Sequence, residues 1–240
     1  MPLRVDAVLS PAENLPPGFA AAVVVDVIRA TTTAAYLLQA GAERLLLAGD
    51  EASARREAAR RGALLAGERG GVALPGFDLG NSPREAEAAA VAGREVVMTT
   101  TNGTVAALRA ARATPAVALG ALVNATAVAR WAAAHDSLLL VAAGREGRVA
   151  LDDTYAIGAV VDALAALTKI ELSDGARLAR QVFASGNVAS VLAASAAARA
   201  LAPVGLAADV AVCARRDALR LVPVLQGASA GVLEFAGAVF

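Results

Sequence analysis

The stretch SLLLVAAGREGRVALDDTYAIGAVVDALAAL, Ser137–Leu167, decides the fold. Ser137–Ala142 is an unbroken apolar run of strand length. Gly144–Ala150 is a polar, glycine-marked loop, and Asp152–Leu167 has the length of a helix. The unit is therefore strand, loop, helix, with most of its polar residues held in the loop and the first helical turn.

The same unit recurs on both sides. Upstream, Ala21–Val25 is a strand of small and β-branched residues ending at Asp26, and Thr31–Ala40 is a helix stopped by Gly41. Arg44–Ala48 is a strand, and Asp50–Arg61 a helix with an acidic start. Ala63–Ala66 reads as a short strand, followed by a glycine-rich loop over Gly67–Ser82. Ser82 as N-cap and Pro83 at the first helical position predict a helix over Pro83–Ala92. Glu95–Met98 and Ala116–Leu119 are strands, and Thr104–Arg112 and Val123–Ala134 are helices. This alternation predicts an α/β fold, a mostly parallel sheet flanked by helices in three α/β/α layers. After Lys169 the spacing predicts a helical C-terminal region, Ser173–Ala184 and Asn187–Leu201, with no assignment for the residues beyond. No linker divides residues 1–240, so a single domain is expected, with the helical subregion starting near residue 170.

Composition narrows the function. The chain is 57% hydrophobic but 3% aromatic, so its core is aliphatic. Net charge is zero, which argues against a nucleic-acid partner. The uncharged stretches at 113–129 and 181–198 carry Gly, Asn, Ser or Thr among their alanines and read as buried helices, so no membrane partner is expected. The start of the chain shows no signal-peptide pattern, and Cys213 is the only cysteine; a cytoplasmic location is the default.

Ligands of parallel sheets bind beyond the carboxyl ends of the strands. There the chain places DVIRATTT (Asp26–Thr33), TTTNGT (Thr99–Thr104), AAGREG (Ala142–Gly147) and LDDTYAIG (Leu151–Gly158). The loop GERGGVALPGFDLGNSP, Gly67–Pro83, lies close enough in sequence to cover them. Each has a plain structural reading: Asp26 as a helix cap, Asn102-Gly103 as a turn, Asp152 and Asp153 as helix-start charges, Arg29 and Arg145 as solvated charges. Their chemistry together is more specific. Asp26, Glu68, Asp152 and Asp153 offer hard oxygen ligands for Mg2+. The N–H groups of Asn102, Gly103 and Thr104 suit a phosphate, and Arg29, Arg69 and Arg145 offer bidentate forks. P-loop and dinucleotide fingerprints are missing. One His135 and one Cys213 leave little for zinc.

DVIRATTTAAYLL, GERGG, PGFDLGNSP, TTTNGT and LDDTYAIG stand in the order found in the 2-phosphosulfolactate phosphatase family. The chain resembles that family from Asp26 to Gly158, with a weaker echo over Asp209–Pro223. The resemblance implies an α/β enzyme that removes phosphate, with Mg2+, from a small anionic phosphate ester of a 2-hydroxy acid. The founding substrate is 2-phosphosulfolactate, on a route to coenzyme M. The expected catalytic residues are Asp26, Arg29 and Asp153. The expected substrate-binding set is Thr31, Thr32, Arg69, Asn81, Ser82, Thr101, Asn102, Gly103, Thr104, Gly144 and Arg145, and a homodimer is left open. Family members often carry Cys-Ala-Gly after the strand ending near Ala142; here Ala142-Ala143-Gly144 stands instead, so no cysteine is required there. Asp26 has two roles open to it, metal ligand or nucleophile. A haloacid-dehalogenase phosphatase would need a second Asp at Ile28. A non-catalytic anion-binding protein would use the Arg and Asn-Gly-Thr donors without the acidic cluster.

Overall fold

The computed structural model describes residues Met1–Phe240. Its strands are β1 Leu3–Val8, β2 Ala21–Val25, β3 Arg44–Ala48, β4 Leu64–Arg69, β5 Val72–Ala73, β6 Glu95–Thr99, β7 Ala116–Gly120, β8 Ser137–Ala142, β9 Ile170–Leu172, β10 Leu221–Ser229 and β11 Val232–Val239. Its helices are α1 Ala30–Gln39, α2 Glu51–Arg61, α3 Pro83–Ala88, α4 Gly103–Ala113, α5 Ala125–Ala132, α6 Leu151–Leu167, α7 Asp174–Ala184, α8 Val188–Ala193, α9 Ala196–Leu201 and α10 Asp209–Cys213.

All eleven strands form one sheet in the order β5-β4-β6-β3-β11-β10-β7-β2-β8-β1-β9. It consists of two parallel blocks. One is β4, β6 and β3; the other is β7, β2, β8, β1 and β9. The β10–β11 hairpin joins them, antiparallel to β7 on one side and to β3 on the other. The pairing of β10 to β7 rests on a single register pair, Val224 with Ala118. The expected α/β fold with a mostly parallel sheet is present. The C-terminal region is helical over Asp174–Cys213, and the chain then ends in the hairpin at the centre of the sheet.

Burial explains the layers. Every residue of β2 is buried, and its side chains alternate between two cores. Ala21, Val23 and Val25 belong to the core that holds residues of α5 and α6; Ala22 and Val24 belong to the one that holds α1 and α4. Helices α1 and α4 touch strands of both blocks, so the inner core is shared between them. A smaller cluster sets α2 against β3 and β6.

Several boundaries differ from the sequence expectation for local reasons. Helix α3 ends at Ala88 rather than Ala92, because Ala89 turns extended. The segment 187–201 is two helices rather than one. Ser195 breaks it, accepting a hydrogen bond from Ala198 N as the cap of α9. The Ala63–Ala66 strand runs on to Arg69 and turns back through β5, so part of the presumed loop is sheet.

Candidate active site

Asp26 follows β2 directly, where Val25 pairs with Gly120 on one side and Ala142 on the other. Glu68 lies in β4, and Thr101 and Asn102 follow β6. The carboxyl ends of the two blocks thus meet at one cleft of about 180 Å3. Asp26, Arg29, Glu68, Asn81, Thr101, Asn102 and Arg145 line it, with Gly70 and Gly71. Ile28 and three residues of α9, Ala197, Ala200 and Leu201, supply an apolar wall. A smaller chamber of about 20 Å3 adjoins it, walled by Asp26, Asn102, Gly144, Arg145, Asp152 and Asp153. That volume suits one water or ion.

The 26–33 turn is held by its own hydroxyls. Thr31 Oγ1 accepts from Asp26 N and donates to Asp26 O, and Thr32 Oγ1 donates to Val27 O. These threonines shape the loop and do not line the cleft. The Ile28–Arg29 peptide is cis. Asp26 Oδ1 accepts from Ala30 N at 3.3 Å, so it does touch the first helical turn, yet its carboxylate also faces the cleft. Gly103 permits this approach: a Cβ there would lie 2.8 Å from Asp26 Oδ2 and 2.6 Å from Ala30 Cβ.

The other carboxylates divide by their partners. Asp153 gives both oxygens to backbone, Oδ1 to Val27 N and Oδ2 to Gly144 N, each at 2.9 Å, tying the loops after β2 and β8 together. Glu68 accepts from Gly71 N through Oε2 and from Thr101 N and Oγ1 through Oε1. Asp152 is different: its Oδ1 is buried with no hydrogen-bond partner, as is Asn81 Oδ1 on the cleft wall. A buried polar atom without a partner costs free energy until something supplies one. Burial raises the carboxyl of Asp26 to about 7, with the neighbouring charges of Asp152 and Glu68 adding to it. Burial likewise raises Asp152 to about 6, against hydrogen bonding and the opposing charge of Arg145. Asp153 is also raised, by burial first and then by Asp152 and Asp26. The carboxylates do not form a ready-made cage of three or more metal ligands.

The cations are equally distinct. Arg29 is buried, not solvated. It donates from Nη1 to Asp209 Oδ2 at 2.7 Å and from Nη2 to Gly71 O at 2.6 Å. Arg145 stands at the mouth, 38% exposed, paired with Glu146 at 3.2 Å. Arg69 turns away from the cleft, donating to Glu68 O and Thr99 Oγ1. Ser82 caps α3 and donates to Asp209 Oδ1, and Thr104 bonds back to Thr100 O; neither lines the cleft. Gly144 walls the small chamber. His135 is edge-on to Trp131, and Cys213 is buried with its thiol pushed up by desolvation; neither belongs to the cleft. No helix is long and apolar enough to cross a membrane.

Sequence reasoning missed the α9 wall and the partnership of Asp209 with Arg29. The alanines of α9 carry no chemical signal. Asp209 fell only within the weaker part of the family echo, although it lies 180 residues from its partner.

Fold and cleft define an α/β protein in which an acidic chamber adjoins a small cleft lined by Arg29, Arg145 and the residues just before α4. The family model for 2-phosphosulpholactate phosphatase matches residues 9–228. The chain belongs to that family and so stands among the phosphoric monoester hydrolases. It is 49% identical over 178 residues to a "Probable 2-phosphosulfolactate phosphatase" of Deinococcus radiodurans, covering 72% of this chain and 74% of that one. A protein of the same name from Thermus thermophilus is 51% identical over 167 residues, covering 68% and 70%. A third, from Thermotoga petrophila, is 36% identical over 223 residues, covering 92% and 95%.

Proposed function

We propose that the chain hydrolyses 2-phosphosulfolactate, or a close phosphate ester of a small 2-hydroxy acid, to the alcohol and phosphate, with Mg2+. The observation that carries this reading is the contiguity of the two cavities. The acidic chamber holds the unpartnered Asp152 Oδ1, and the cleft beside it holds Arg29, Arg145 and the start of α4. A cation between the acidic chamber and an anionic ester would relieve the repulsion on both sides, and magnesium commonly takes one or two carboxylates plus waters and substrate phosphate. Asp26 and Asp152 would hold it, since Glu68 and Asp153 are occupied by backbone N–H groups. When bound, magnesium would neutralise charge on the phosphoryl oxygens.

The residues of the chain would then divide the ester. The N–H groups of Asn102 and Gly103, at the start of α4, take phosphoryl oxygens with a favourable dipole, that of Thr104 being spent on Thr100 Oγ1. Arg29 and Arg145 take the acid groups of the substrate. Ile28 and the α9 wall limit its size and exclude water from the far side. Ile28 also stands where a dehalogenase-type acid would be needed, which weighs against that mechanism.

The test is phosphate release from 2-phosphosulfolactate by the purified chain, with magnesium and with a chelator. Turnover that needs the metal supports the reading. Undiminished turnover in chelator sinks the metal role, and no turnover with either sinks the substrate assignment. The stereochemical course at an isotopically chiral phosphoryl group separates the two roles of Asp26. Inversion means a single displacement by water; retention means two displacements through a phospho-enzyme.

A further inference from the structure

Asp209 does not line the cleft, yet both of its oxygens serve residues around it. Oδ2 accepts from Arg29 Nη1 and Oδ1 from Ser82 Oγ, each at 2.7 Å. Ser82 adjoins Asn81 on the cleft wall and caps α3. Arg29 in turn donates to Gly71 O, and Gly71 N donates to Glu68. One carboxylate on α10 therefore links the loops after β2, after β4 and before α3.

The burial of this pair is its significance. The side chains of Arg29 and Asp209 are 2% and 1% exposed. An unpaired guanidinium at that depth would be strongly unfavourable whenever the cleft held no anion. Asp209 compensates the charge of Arg29 and orients it before a ligand arrives. It uses one N–H group and Gly71 uses another, and the rest of the fork remains for the cleft that Arg29 lines. Two of the fork's directions are fixed, one by Asp209 outside the cleft and one by Gly71 on its wall, so a planar guanidinium has little rotational freedom left to lose on binding.

We propose that Asp209 is a positioning residue for anion recognition, acting through Arg29 and holding its guanidinium pre-aimed into the cleft. This rests on the reading of the cleft as the site of an anionic phosphate ester. The prediction is one of coupling: Asp209 matters to ligand affinity only while Arg29 is present.

The experiment is a double-mutant cycle on the full chain, with Asp209→Asn, Arg29→Gln and the pair. The probes are 2-phosphosulfolactate for KM and kcat, and sulfolactate and orthophosphate for equilibrium binding by calorimetry. Asp209→Asn should raise KM and the dissociation constant of sulfolactate, whose acid groups Arg29 takes, about tenfold or more, the scale for breaking a buried charged pair, and should move that of orthophosphate less. The magnesium concentration for half-maximal activity should not move. The double variant should be no weaker than Arg29→Gln alone. Losses that multiply in the double variant overturn the proposal, as does an Asp209→Asn protein that melts earlier but keeps its affinities. If Asp209→Asn fails to fold, Asp209→Glu keeps the charge but displaces it by one methylene; wild-type affinities there overturn the proposal too. Binding that follows the cycle in a chain without phosphatase turnover upholds the positioning role while sinking the phosphatase reading. A wild-type chain that binds none of the probes sinks both.

Discussion

The carboxylate of Asp26 lies against the bare Cα of Gly103, so close that a methyl group there would stand 2.8 Å from Oδ2. The first turn of α4 and the end of β2 come from different blocks of the sheet, and this contact is where they touch at the site. Gly103→Ala should therefore destabilise the chain by about 1–3 kcal/mol, the range for overfilling a packed site. It should lower turnover more than the melting temperature suggests, because the displaced group is Asp26. Denaturation midpoints and kcat on the same preparation check this; an unchanged kcat removes Gly103 from the site.

Asp26→Asn should abolish most turnover while leaving the fold intact. The substitution removes a buried charge whose pKa is already raised to about 7, so the melting temperature at neutral pH should stay level or rise. Near-normal turnover would return Asp26 to the role of a helix cap for Ala30 N.

Asp153 should behave differently. Both of its oxygens accept from backbone N–H groups, and an Asn would turn an NH2 toward one of them. Asp153→Asn should cost about 1–3 kcal/mol of stability, the penalty of a buried unsatisfied donor. Urea denaturation of the variant measures it. Stability equal to wild type would mean that the two N–H bonds do not hold the loops together.

The metal-free protein should lose stability as pH rises. Asp26 titrates near 7 and Asp152 near 6 in the folded chain, above the ordinary carboxyl value of about 3.9. Between those limits the folded state holds protons that the unfolded chain has released. The contribution is full below about 4 and is lost as pH climbs through 6 and 7. Melting curves in chelator from pH 4 to 8 should show this decline, Asp26→Asn should flatten it, and magnesium should restore stability at the upper end. A level profile in the wild type would sink the burial argument.

Arg145 offers a contrast with Arg29. It is partly exposed and paired only with its neighbour Glu146, so Arg145→Ala should scarcely change stability. It should raise KM with a smaller effect on kcat. Unchanged KM would leave Arg145 a solvated surface charge.

Much of this site was legible because strand ends carry it. Asp26, Asn102 and Asp153 each follow, or open the helix after, a run such as VVV or SLLLVA, and they wall one chamber. What sequence could not convey was the bond each group makes. Thr31, Thr32, Ser82 and Thr104 look like ligand donors, but their hydroxyls close local backbone turns or bond to neighbouring side chains. Arg29 looks like any surface arginine until Asp209 is brought beside it. Strand β1 had a signal, the alternation of Leu3, Val5 and Ala7, all buried. The β10–β11 hairpin had little: Pro223, Gly227 and Gly237 interrupt it, and its place depends on pairing with β3 and β7, far earlier in the chain.

That hairpin sets the order in which a nascent chain can finish. Until residues 221–239 leave the ribosome, β3 and β7 are two open edges of two separate blocks, and the cleft between their carboxyl ends has no fixed width. Helices α1 and α4 can gather the blocks, but only the last strands close the hydrogen-bonded seam. Synthesis thus passes through a stage with unpaired strand edges exposed to other chains, a stage that ends once the hairpin pairs with both.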